Sequence, residues 1–178
     1  ALASGIGSAI YVGHGRAVGC TGYYGLRAHH FDDFTGEPFG AARDRKIQVL
    51  LIKLASLHGN SDVVIPFLTR LVAPPWPPEI RSEAAEGFDH HHDPRSVEIL
   101  LRVARTDTVS DVRTEAAETI GEVQTPQSIP ALTDLATNSP DSAVRREAAE
   151  AFADQPPALA LPAVERLIAT SVDDEVVV

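Results

Sequence analysis

The chain has 178 residues, 44% of them hydrophobic and only 6% aromatic, with a formal net charge of −10; that is the length of one ordinary domain and the composition of helices packed through Ala, Leu and Val rather than of an aromatic-rich sandwich. A single cysteine, Cys20, rules out an intrachain disulfide and leaves the redox compartment open. No run of about 18 apolar residues is present, so no transmembrane helix is expected.

Residues 1–42 hold nine of the twelve glycines and all three tyrosines, and they show little helical periodicity. Short strands, turns or an extended arm that orders against a partner are expected there, as an N-terminal arm or small cap. The chain contains no Met and opens Ala1-Leu2-Ala3, as an exported bacterial protein does after removal of its signal peptide, although no n-region or h-region is present to establish this. Ala17-Val18-Gly19-Cys20 has the outline of a lipoprotein box, but Arg16 precedes it where an apolar stretch is required. Cys20 has no base beside it in sequence and is read as structural.

From residue 43 the pattern turns helical. Ile47–Leu57 reads as a degenerate first helix, and Ile65, Leu68 and Val72 as one face of a second. Ala73-Pro74-Pro75-Trp76-Pro77-Pro78 forms a stiff connector. Three near-copies of one phrase then follow, Ile80-Arg81-Ser82-Glu83-Ala84-Ala85-Glu86 and its counterparts beginning at Val112 and Val144, with a period of 32 residues. Ile80/Ala84/Phe88, Val112/Ala116/Ile120 and Val144/Ala148/Phe152 fall at i, i+4 and i+8 and predict the buried face of each first helix. Ser110 and Ser142 stand where they would cap these helices. Second helices follow Asp93-Pro94 and Thr125-Pro126, with apolar sets Val97/Leu100/Leu101/Ala104, Ile129/Leu132/Ala136 and Leu161/Val164/Ile168. The pairs are expected at about 43–73, 79–106, 111–138 and 143–170 within an array spanning 43–178, with a truncated repeat opening at 173. A fixed period of this length signals a solenoid, whose units bury their apolar faces only against their neighbours.

The phrase V-R-x-E-A-A-E-x-[IF], followed by a second amphipathic helix, resembles bacterial HEAT-like repeats of the phycobilisome-lyase type. The resemblance implies an all-α, right-handed α-solenoid of antiparallel helix pairs preceded by the Gly-rich, non-helical N-terminal segment. Deoxyhypusine hydroxylase is similar in repeat design, but its iron-binding V-R-H-E-A requires His where this chain has Ser82, Thr114 and Arg146. The hydroxylase reading is therefore rejected, and the bilin-lyase branch offers no diagnostic residue.

Two histidine strings have the composition of metal sites. His90, His91 and His92 lie between Asp89 and Asp93, and His29 and His30 precede Asp32-Asp33. Consecutive histidines on one turn do not readily converge on one ion, so the expectation is no metal site, no cofactor and no catalytic constellation. Glu83, Glu115 and Glu147 form one ladder and Arg81, Arg113 and Arg145 another, read as a solvated solenoid face with arginines bridging adjacent repeats. Trp76 is read either as an exposed anchor or as a plug between repeats.

Residues 1–78 carry seven basic and five acidic side chains, whereas 79–178 carry eight and twenty. An array this acidic repels nucleic acid and anionic membranes. The expected function is a non-enzymatic scaffold that holds a protein partner on a concave face of second helices, through Arg102, Gln127, Thr133 and Trp76. The alternatives are head-to-tail self-assembly through the N-terminal arm and the open C-terminal repeat, and a lyase-like or metal-dependent enzyme using the histidine strings.

Overall fold

A computed structural model describes residues 10–13, 16–19, 39 and 44–170. Strands β1 (Ile10–Gly13) and β2 (Arg16–Gly19) pair antiparallel, with Ile10 opposite Gly19 and Gly13 opposite Arg16.

Eight helices follow, in four antiparallel pairs: α1 (Arg45–Ser56) with α2 (Ser61–Leu71), α3 (Pro78–Glu86) with α4 (Pro94–Thr106), α5 (Ser110–Val123) with α6 (Ser128–Asn138), and α7 (Ser142–Glu150) with α8 (Pro157–Thr170). A single 3-10 turn, Ala151–Asp154, prolongs α7. Local chemistry sets the starts. The carboxylates of Asp44, Asp93 and Asp141 and the side-chain oxygen of Asn60 each accept the N–H two residues on, satisfying a donor that the helix cannot. Pro78 and Pro94 take first-turn positions, where a missing N–H costs nothing.

Two expected caps are displaced. Asp141, not Ser142, caps α7. Ser110 is the first residue of α5, and its hydroxyl donates to Asp141 Oδ2 at 2.6 Å. At α7 the aspartate wins because a charged acceptor bonds a helix N-terminus more strongly than a hydroxyl does, whereas α5 starts after Val109 with no side-chain cap. α6 starts at Ser128, after Gln124 has turned left-handed (φ 50°) and the Thr125 N–H has bonded Ser128 Oγ.

The 32-residue pattern becomes one continuous core. Ile80, Ala84 and Phe88, Val112, Ala116 and Ile120, and Val144, Ala148 and Phe152 are all buried. Gly121 is required by packing: a Cβ there would stand 2.9 Å from both Cβ and the carbonyl oxygen of Ala151. The last pair departs from expectation. Ala160, Ala163 and Leu167 are the buried side of α8, while Leu161 and Ile168 are exposed and Val164 is half-buried. Their counterparts Leu132 and Ala136 are covered in the repeat before. α8 has no following pair among the described residues, so its side facing along the stack is open.

Consecutive first helices approach one another more closely than consecutive second helices do. The alanine pairs 84–85, 116–117 and 148–149 allow this close approach, since small side chains let helix backbones come together. The first-helix row bears Glu83, Glu86, Glu115 and Glu118 in its middle and the exposed Leu50 and Leu54 of α1 at its N-terminal end.

Candidate functional site

Both rims of the stack are braced by side chains from the turns. On the rim where second helices lead into first helices, Arg81 sits almost fully buried. Its guanidinium meets Asp107 in a two-point pair, Nε to Oδ2 and Nη2 to Oδ1, both 2.8 Å, and donates through Nη1 to the Trp76 carbonyl. Arg113 repeats the device one unit on, donating to the Asp107 carbonyl at 2.7 Å and pairing with Asp141. Arg145 donates to the Ser139 carbonyl at 3.0 Å. Burial pushes the Asp107 carboxyl upward, but the Arg81 guanidinium and the Val109 N–H outweigh it and hold the pKa below the usual range. The Ser110 hydroxyl, then Arg113, lower Asp141 to about 2. Arg81 and Arg113 thus join turn to turn across repeats.

The opposite rim holds the first histidine string. His91 is buried; its Nε2–H donates to the Ser56 carbonyl at 3.0 Å, and its Nδ1 lies 3.1 Å from the Ser61 hydroxyl. Burial lowers its pKa, consistent with a neutral ring. His92 reaches the other way and donates from Nδ1 to the Val123 carbonyl at 2.7 Å. Exposed His90 faces the partly buried Asp89 of its own turn at 3.0 Å. One repeat on, Gln124 Nε2 donates to the Asp154 carbonyl at 2.7 Å and Gln155 Nε2 to the Gly121 carbonyl at 2.5 Å. Gln124 stands 32 residues after His92, and Gln155 stands 64 after His91. The string is thus part of a bracing ladder in which imidazole and amide are interchangeable donors. The rings of His90, His91 and His92 turn to three different partners, and no group of three or more potential ligands converges among the described residues. His29, His30 and Cys20 lie outside the described residues.

On the first-helix row, Lys53 Nζ lies 2.9 Å from Glu83 and 3.5 Å from Glu86. Among the described residues, Glu115 accepts only from the Ser82 hydroxyl, at 3.3 Å. Burial, then the nearby Glu118 and Glu86 charges, push its pKa up to about 7. Burial likewise raises Glu83 and Glu147.

On the second-helix side, α2 and α4 splay apart around a groove of about 1080 Å³. Val63, Phe67, Ile99 and Leu101 supply apolar lining, alongside Arg70, Arg95, Arg102 and Arg105 and the carboxylates Asp62 and Glu98. Arg95 pairs with Asp62 and Asp93 at 2.8 and 2.7 Å, and Arg105 with Asp134 at 2.6 Å. Arg70 lies 5.9 Å from the ring centroid of Phe67, and Arg102 is exposed; neither has a carboxylate partner among the described residues.

Of the residues expected to hold a partner, Arg102 alone lines this groove. Gln127 is exposed at the N-cap of α6. Thr133 is half-buried on α6 and donates to the Ile129 carbonyl at 2.8 Å. Trp76 is half-buried and edge-on to Phe39, ring centroids 5.4 Å apart, and packs on the core as a plug. Arg70, Arg95 and Arg105 were not expected. A signal existed, since Arg70 and Arg102 are 32 apart, as are Arg95 and Gln127.

No helix among the described residues is long and apolar enough to cross a membrane. No curated protein matches the chain. The chain is similar in structure to the complex of CpcE and CpcF of phycocyanin lyase from Nostoc sp. PCC7120, at 16% identity and a TM-score of 0.47, covering 74% of this chain and 94% of that one. A family model for HEAT repeats matches residues 65–153 and 110–177, more than half of the sequence. With its 32-residue period, four helix pairs and continuous core, the chain belongs to the HEAT-repeat family.

Proposed function

We propose that this protein is a non-enzymatic scaffold that holds a protein partner on its solenoid surface. The observation that carries the reading is a division of labour among polar side chains. The conspicuous arginines and histidines of the rims are engaged in bracing repeats, whereas the open groove between α2 and α4 keeps two arginines without carboxylate partners among the described residues. Rigid bracing with an open surface serves binding, because a preformed surface loses little entropy on association. The protein, immobilised and exposed to an extract of its source organism, is expected to retain one partner in stoichiometric amount, and the charge reversal Arg102→Glu is expected to weaken retention. Absence of any stoichiometric partner, with turnover of a small molecule by the purified chain, would overturn the reading.

Self-assembly is favoured by a separate observation. Ile47, Leu50 and Leu54 on α1, Leu57 just after it, and Leu161 and Ile168 on α8 are all about half exposed or more, so apolar surface is open at both ends of the stack. End-to-end docking of copies would cover it. Light scattering across concentration and salt separates the two readings: growth of mass with concentration supports assembly, and a constant monomer mass removes it.

A further inference from the structure

We propose that the α2–α4 groove is a docking site for an acidic protein segment that carries apolar side chains. The inference deepens the scaffold reading and rests on it.

Charge complementarity identifies the occupant. In a chain of net charge −10, the groove presents two arginines, Arg70 and Arg102, that have no carboxylate partner among the described residues. Arg95 and Arg105 are held in ion pairs at its edges, to Asp62 and Asp134, and these pairs fix the positions of their guanidinium groups. Arg70 and Arg102 are free of such pairs among the described residues and stand 32 residues apart at equivalent positions of α2 and α4. A planar guanidinium meets a carboxylate through two parallel hydrogen bonds, so two free arginines on neighbouring helices can each receive an acidic side chain of one segment laid between them.

The lining decides between classes of anion. Phe67, Ile99 and Leu101 lie between the arginines, and burying apolar side chains against them contributes about 25 cal/mol per Å². A polynucleotide backbone has nothing to bury there, and the glutamates elsewhere on the array repel it. An acidic peptide with interspersed Leu or Phe satisfies both features of the groove. It also explains why the second-helix row opens most between α2 and α4: a segment laid along two helices needs them splayed.

The test is fluorescence anisotropy of the full chain with a short labelled peptide of Asp, Glu, Leu and Phe. The expected result is saturable binding that weakens as salt rises and falls by about tenfold or more in the double variant R70E/R102E. Arg70 and Arg102 are exposed, so the reversal leaves the fold intact, which circular dichroism checks. R70K/R102K is expected to retain part of the affinity, and a control peptide with Ser in place of Leu and Phe to lose most of it. Equal binding by a Lys-for-Glu peptide, stronger binding of a single-stranded oligonucleotide, or no effect of R70E/R102E would each overturn the groove proposal. If the partner captured from extract is held equally by wild type and R70E/R102E, the groove proposal fails while the scaffold reading stands; if no partner is captured at all, the scaffold reading itself fails.

Discussion

Glu115 shows how position in the array changes the chemistry of one residue. Its counterpart Glu83 has Lys53 beside it at 2.9 Å, whereas Glu115 has only the Ser82 hydroxyl and faces other carboxylates. Burial and that crowding raise its pKa from 4.5 to about 7, so the folded chain holds this proton more tightly than the unfolded chain does. The sign follows from linkage. Below the unfolded value the group is neutral in both states and no penalty is present; as pH rises from about 4.5 through 7, stability is lost. Glu115→Gln imitates the protonated form at every pH. It is therefore expected to stabilise the protein at pH 8 by about 1–2 kcal/mol, solvent screening limiting the gain at a half-buried site, and to change little at pH 4. Urea denaturation at the two pH values measures this. Equal effects at both, or destabilisation at pH 8, would show that Glu115 is well accommodated as a carboxylate.

At the scale of elements, what sequence could and could not reveal follows from which interactions are periodic. First-helix cores such as Val112, Ala116 and Ile120 were legible because burial repeats with the helix. Caps were legible only to within one to three residues, because Asp141 competes with Ser142 and the outcome depends on the local turn. The exposed Leu161 and Ile168 carry the same periodic signal as buried residues, and only the neighbouring helix decides their fate. Whether a groove arginine is free was not legible, because it depends on splay between helices and on partners such as Asp134, far away in sequence. The bracing role of the histidine string is visible in sequence only through its alignment with Gln124 and Gln155. That alignment makes a prediction at the same scale. His92→Gln is expected to keep stability within about 0.5 kcal/mol, since an amide can donate to the Val123 carbonyl as Gln124 does to Asp154. His92→Ala leaves that carbonyl without its donor and is expected to cost about 1 kcal/mol. Adding zinc to the wild-type chain is expected to leave its melting temperature unchanged; a rise that His92→Gln abolishes would restore the metal reading.

For the whole molecule, stability is a sum of repeat and neighbour terms, so the same substitution has unequal effects along the stack. Ile120 is fully buried on α5, the first helix packed against both α3 and α7. Leu167 is buried on α8, which among the described residues has a neighbouring pair on one side only. Truncating a buried aliphatic side chain leaves a cavity whose cost depends on how far its surroundings can relax. α8 is free to relax and α5 is clamped. Ile120→Ala is therefore expected to cost about 3–5 kcal/mol and to lower protection from hydrogen exchange across all four pairs, because it weakens the interfaces that hold the two halves together. Leu167→Ala is expected to cost about 1–2 kcal/mol and to raise exchange chiefly in α8, with α3 and α5 unchanged. Exchange followed by mass spectrometry distinguishes these patterns. If Leu167→Ala instead lowered protection uniformly, the array would be one cooperative unit whose end is clamped like its middle, and the open side of α8 would then have to be covered by another part of the chain or by a second copy.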